Sequence, residues 1–225
     1  MKKGNRIAVI IVLILVLLFG VGQFFAGSNL SSVTPPASNS TSTDTPATQV
    51  VVYVPPQPAT STRTLDGSCW TSSIAAPYRN DAWRCTVGNA ISDPCFEIPT
   101  QKTLMCGVNP NRPDSTSTFV LSLTKPLPAP QMLQGDIPSN WAWLVKLSDG
   151  TLCTPFTGTR PFTADGQSAN YGCAPGPLGN DLLIFNDLNN SSTLWTATVG
   201  TLSLTTSSLP TVKSSSTVSV DTVWQ

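Results

Sequence analysis

Six cysteines, at positions 69, 85, 95, 106, 153 and 173, are the residues whose type and spacing most directly imply chemistry in this chain. An even number behind an export-type N-terminus reads as three disulfides made in an oxidising compartment. Fifteen pairings exist for six cysteines. Loop economy favours Cys69 with Cys85, Cys95 with Cys106 and Cys153 with Cys173, each closing a loop of about ten to twenty residues and contributing roughly 3 kcal/mol by the chain-entropy estimate. A zinc site is disfavoured, because no two cysteines have the short spacing of a metal knuckle and the chain has no histidine. Without Cys-x-x-Cys, redox catalysis has no motif either.

The absence of histidine removes the usual general base, the usual activator of a serine or cysteine nucleophile and the commonest metal ligand. Glu97 is the one glutamate among 12 acidic residues, so acid/base catalysis by paired carboxylates would rest on aspartates. Asp66, Asp149 and Asp165 each precede a glycine and are read as turn residues, which leaves Asp81, Asp93 and Asp136 as candidates. A Ser–Lys pair is the remaining route to a nucleophile, and Lys146 is more simply a solvated strand residue. No loop carries the run of oxygen ligands that calcium needs. Nothing in the sequence implies a cofactor.

Aromatic residues supply the binding candidates. Trp70, Arg79, Asp81, Trp83 and Arg84 form the one dense cluster of indole rings with polar partners, the combination that stacks on a sugar ring and bonds its hydroxyls. The plainer reading packs Trp70 and Trp83 on neighbouring disulfides and puts Trp141, Trp143, Trp195 and Trp224 in the core. Lys and Arg total 12, and Lys2, Lys3 and Arg6 precede the apolar N-terminal run, leaving 9 basic against 12 acidic side chains. A mildly acidic remainder argues against nucleic acid, whose affinity rests on clustered Lys and Arg.

The elements that must position these residues fall into three parts. Residues 1–26 carry three positive charges followed by Ile7 to Ala26, apolar apart from Gln23, and read as a signal anchor or a signal peptide. The positive flank keeps the N-terminus inside, so the rest is outside the cytoplasm, on the membrane or secreted according to cleavage. Residues 27–64 are rich in Ser, Thr and Pro and read as a disordered linker. Gln49 to Val54 is an exception of β-branched and aromatic residues, assigned to the linker because proline-rich sequence flanks it. Residues 65–225 are expected to be an all-β domain, a disulfide-stapled sandwich or barrel with a loop-rich N-terminal half and no convincing amphipathic helix.

Within that domain the stretch from Trp141 to Phe156 is the clearest element. Period-two alternation on either side of Asp149-Gly150 predicts a hairpin with a two-residue loop, pairing Leu147 with Leu152 and placing Lys146 opposite Cys153. Between Cys69 and Cys106, Pro77, Pro94 and Pro99 interrupt every pattern, with one helical turn expected in Ala75 to Cys85. Strands are predicted over 103–108, 117–123, 182–185, 194–204 and 217–224, the last with Val218, Val220, Thr222 and Trp224 on one face.

The segments GSCWTSSIAAPYRNDAWRCTVGNAISDPCF, WLVKLSDGTLCTPFTG with YGC, and the closing VDTVWQ resemble a disulfide-rich domain of exported bacterial proteins without an assigned function. The resemblance spans roughly residues 65–225. It implies a bacterial, extracytoplasmic, disulfide-bonded module and brings no activity, ligand or site residues. The expected function is a non-enzymatic binding or cell-envelope module displayed on a stalk, with a cell-wall polysaccharide or another envelope protein as partner. The alternatives are a hydrolase using Asp carboxylates and a protein-binding or sensor ectodomain.

Overall fold

A computed structural model describes residues 46–60, 62–111, 116–131, 138–173, 182–203 and 211–225. The apolar N-terminal segment, most of the Ser/Thr/Pro-rich stretch, Asp136 and the 174–181 loop lie outside the described residues. Among those described, no helix is long and apolar enough to cross a membrane. All their regular structure is β.

After a short β1 (Gln49–Val51), the strands β2 (Thr64–Ser72), β3 (Ala82–Val87), β4 (Ala90–Glu97), β5 (Thr103–Cys106) and β6 (Phe119–Leu123) form a closed barrel in sequence order. A meander with an odd number of strands brings its first and last strands parallel, and β2 pairs with β6 in that sense. The interior is narrow. It is filled by Trp83, Leu104, Phe119 and Leu121 with the Cys69–Cys85 and Cys95–Cys106 disulfides, and a Cβ on Gly67 would lie 2.3 Å from the Thr86 carbonyl oxygen.

A second meander follows, made of β7 (Leu144–Leu147), β8 (Leu152–Pro155), β9 (Ala169–Cys173), β10 (Leu183–Asn189), β11 (Thr196–Ser203) and β12 (Thr211–Trp224). With an even number of strands its ends meet antiparallel, and β12 closes the ring onto β7. One long strand serves both neighbours: residues 211–219 of β12 pair with β11 and residues 220–224 with β7. Val145, Leu147, Tyr171, Ile184, Val220 and Val223 fill this second core beside the Cys153–Cys173 disulfide.

The three disulfides are those favoured by loop economy. Each joins residues directly opposite one another on adjacent antiparallel strands, so local loop and ladder geometry select the same partners.

Several expectations are corrected. Residues 64–123 are a strand-built barrel rather than a loop-rich half, and residues 75–85 contain no helical turn. Pro94 is tolerated inside β4 because Trp83 pairs with Cys95 and Cys85 with Ser92, so that Asp93-Pro94 bulges opposite Arg84. Asp66-Gly67 lies within β2 and is no turn. Gln49 to Val54 belongs to the domain: β1 runs parallel to β12, Val51 beside Trp224, and Tyr53 is buried. Tertiary pairing here overrides the proline-rich flanks, because the β12 edge beyond the end of β11 needs a partner for its backbone groups.

The central hairpin forms one residue out of the predicted register. Leu147 N–H bonds to the Thr151 carbonyl and Val145 pairs with Cys153, so the loop is Ser148-Asp149-Gly150, with Gly150 at φ 87°. This is the three-residue loop with a left-handed glycine. The single-residue shift exchanges the faces of the second strand: Cys153 turns into the core beside Val145, and Leu152 joins Lys146 on the other side. In β12, Asp221 is an extra residue between Val220↔Leu147 and Thr222↔Lys146. The predicted single face is thereby split, Val218 and Val220 going to the barrel core and Trp224 to a separate cluster.

That separate cluster joins the two barrels. Tyr53, Phe96 and Trp143 meet with ring centroids 5.0 to 5.3 Å apart, alongside Ala75, Ala82, Leu144 and Trp224. Each ring comes from a different part of the chain: the segment after β1, β4 of the first barrel, and the entry to β7. Aromatic pairs of this kind contribute about 0.5–1.5 kcal/mol each beyond their area burial, so the junction is a packed core.

Candidate functional site

Arg84 is the residue around which the candidate site is built. It stands in β3 where both neighbouring strands bulge. On one side Cys69 pairs with Cys85 and Thr71 with Arg84, leaving Trp70 as the extra residue of β2. On the other side Asp93-Pro94 is the bulge of β4. A bulge redirects the side chain it carries. Trp70 is 45% exposed, whereas its neighbour Cys69 is buried.

The Arg84 guanidinium is held from three directions. Its Nη1 donates to Asp93 Oδ2 at 3.0 Å and to the Thr157 carbonyl at 2.8 Å, and its carbon lies 5.7 Å from the Trp70 ring centroid. Asp93 also accepts bonds from Ser73 Oγ and from the Ile74 and Ala75 N–H groups. The carboxylate therefore fixes the loop after β2, and the guanidinium ties the first barrel to the segment after β8. The pair is largely withdrawn from solvent, with side-chain exposures of 14% and 2%.

Between the barrels lies a cleft of about 550 Å³. Ile91, Val108, Leu144 and Leu152 give it an aliphatic wall; Ser92, Asn109, Thr154 and Thr157 supply hydroxyl and amide groups. Asp93 is the one carboxylate in its lining, and its charge is matched by Arg84. Trp143 also lines the cleft, and its indole N–H is buried without an acceptor among the described residues. The volume falls within the range of ligand-binding clefts.

The sequence-predicted cluster is divided by the fold. Trp70 and Arg84 stand together beside the cleft lining. Trp83 is 2% exposed inside the first barrel, its Nε1 donating to Glu97 Oε1 at 2.7 Å, and has no ring face to offer a ligand. Arg79 and Asp81 form a bidentate ion pair at 2.6–2.8 Å. Arg79 also donates to the carbonyls of Tyr53 and Gln225 and covers the Phe96 ring, so it locks β1 and the C-terminus to the first barrel. The alternation of β3 sends Trp83 inward and Arg84 outward, while the bulge at Trp70 breaks the alternation of β2.

Four further aspartates have local partners. Asp149 accepts from Thr151 N–H in the hairpin loop, and Asp187 from Asn170. Asp165 lies below the usual carboxylate range because Thr163 and Gln167 donate to it. Asp221 is lowered by Lys146, 2.9 Å away, and by Thr222. Burial pushes the Tyr53 hydroxyl up to about 12, against a smaller downward pull from Arg79, and pushes Tyr171 up as well. Among the described residues no group of three or more Cys, Asp or Glu is placed to hold a metal ion.

Missing from the sequence-based candidates were Ile91, Asn109, Trp143, Thr154 and Thr157, which meet in the cleft only through the docking of two barrels. No pattern within either segment marks them. Comparison with family models, with curated proteins and with solved structures finds no match.

Proposed function

We propose that this chain is a non-enzymatic binding module displayed outside the cytoplasm, carried on its Ser/Thr/Pro-rich stretch from an N-terminal membrane anchor. The ligand is the hydroxyl- and amide-bearing glycan strand of the cell wall, seated in the inter-barrel cleft with Trp70 at its edge. The observation that carries this reading is the placement of Trp70, a half-exposed indole joined through Arg84 to Asp93 and Thr157 of the cleft lining. Such a ring stacks on a sugar face, while a neutral lining rich in hydroxyl and amide groups suits such a strand. Three disulfides accord with an oxidising compartment.

A hydrolase would need two carboxylates about 5–10 Å apart in an open cleft. The lining here contributes Asp93 alone, with both oxygens engaged. The test is retention of the full chain on purified cell-wall sacculi. Trp70→Ala and Thr154→Arg should each lower retention at least tenfold, and Phe162→Ala, which removes an exposed ring elsewhere, should leave it unchanged. Equal retention of all variants, or none by the unaltered chain, refutes the assignment.

A further inference from the structure

Among the described residues no strand pairs with the outer edge of β1 or of the extended residues that follow it, and from Val50 to Val54 the exposed side chains are all valine. Residues alternate strictly here: Val51 and Tyr53 turn inward, and Val50, Val52 and Val54 are 49%, 72% and 65% exposed. The bonds to β12 run through the inward set, since Gln225 N–H donates to the Val51 carbonyl and Tyr53 N–H to the Gln225 carbonyl. Backbone groups alternate sides along a strand, so the N–H and C=O of Val50, Val52 and Val54 face away from β12. Proteins blunt such an edge with charge, a bulge, proline or short strand length. No charged residue occurs between Asp44 and Arg63, and Pro55-Pro56 merely ends the available length.

We infer that this edge pairs with the same edge of a second copy of the chain, antiparallel and centred on Val52. That register sets Val52 against its own symmetry mate, and Val50 against Val54 of the other copy. It is self-complementary, as a two-fold interface must be. Each opposed pair exchanges two backbone bonds, giving about six across the interface, and the valines of both copies fall on one face because directly opposed residues share a face. No like charges meet. A two-strand contact buries less than the roughly 1,200 Å² of a stable interface, so the pairing is weak between free chains and is strengthened where copies are held close together.

Cysteine cross-linking of the full chain tests the pairing and its register. Val52→Cys should form an intermolecular disulfide with itself, whereas Val50→Cys and Val54→Cys should each cross-link poorly alone and efficiently when mixed. In sedimentation velocity, Val52→Lys, which brings two ammonium groups together, should raise the dissociation constant at least tenfold. So should Val52→Pro, which removes an outward N–H without touching a bond to β12. Absence of the Val52→Cys cross-link, equal cross-linking by all single variants, or monomers at the highest concentrations tested would overturn the inference; a monomer that captured a strand from another protein would do the same.

Discussion

Replacing Asp93 by Asn keeps the shape of the side chain and removes its charge. The carboxylate accepts from Ser73 Oγ and Ala75 N–H through Oδ1 and from Ile74 N–H and Arg84 through Oδ2. An amide that keeps its oxygen toward Ser73 turns an NH₂ toward the Ile74 N–H and the guanidinium, so donors face donors. Arg84, 14% exposed, retains the Thr157 carbonyl as its hydrogen-bond acceptor and the Trp70 ring as its neighbour. Breaking a pair this withdrawn from water costs about 3–5 kcal/mol. With a urea slope near 2 kcal/mol/M, the unfolding midpoint should fall by about 2 M. The assay is urea unfolding of the oxidised protein followed by tryptophan fluorescence, with Arg84→Met and the double variant completing a cycle. The double variant should be less destabilised than the sum of the single ones by at least 1.5 kcal/mol, because neither leaves the other stranded. A loss below 1 kcal/mol for Asp93→Asn, or strict additivity, would refute the view that this pair fastens the bulged strands.

Removing the Cys153–Cys173 link with paired Cys→Ser changes should cost about 3 kcal/mol, and on the order of 6–12 °C in Tm, measured by calorimetry. Gly107→Ala should cost more than Gly88→Ala in the same experiment. Both have positive φ, at 63° and 58°, but the new Cβ at Gly107 would lie 2.2 Å from the Ser117 carbonyl oxygen, whereas Gly88 has open space; the open position should lose only about 1–2 kcal/mol of left-handed strain. Because Tyr53 is raised from 10.0 to about 12 in the folded state, the unfolded chain releases its proton first as pH rises. Its contribution to stability is complete below pH 10 and is lost between about pH 10 and 12. Phenolate absorbance should show one tyrosine titrating near 12, and Tyr53→Phe should flatten that part of the stability profile.

The sequence by itself determined the all-β class and the cystine framework. These rest on short-range physics: alternation with period two, turn chemistry at Asp149-Gly150 and Asp165-Gly166, and the low cost of closing short loops between Cys69 and Cys85, Cys95 and Cys106, and Cys153 and Cys173. It marked Trp70 and Arg84 as candidates by density alone, and could not separate them from Trp83, because which of two adjacent residues turns inward depends on where a strand bulges. Tertiary structure decided the closure of two meanders into rings, the recruitment of β1 by the free edge of β12, and the one-residue register of the hairpin that turns Cys153 inward. It also decided the cleft. Ile91, Trp143 and Thr154 acquire a common surface only when two barrels dock through Tyr53, Phe96 and Trp143, and contacts between residues so far apart along the chain follow from whole-domain packing, which no local pattern encodes.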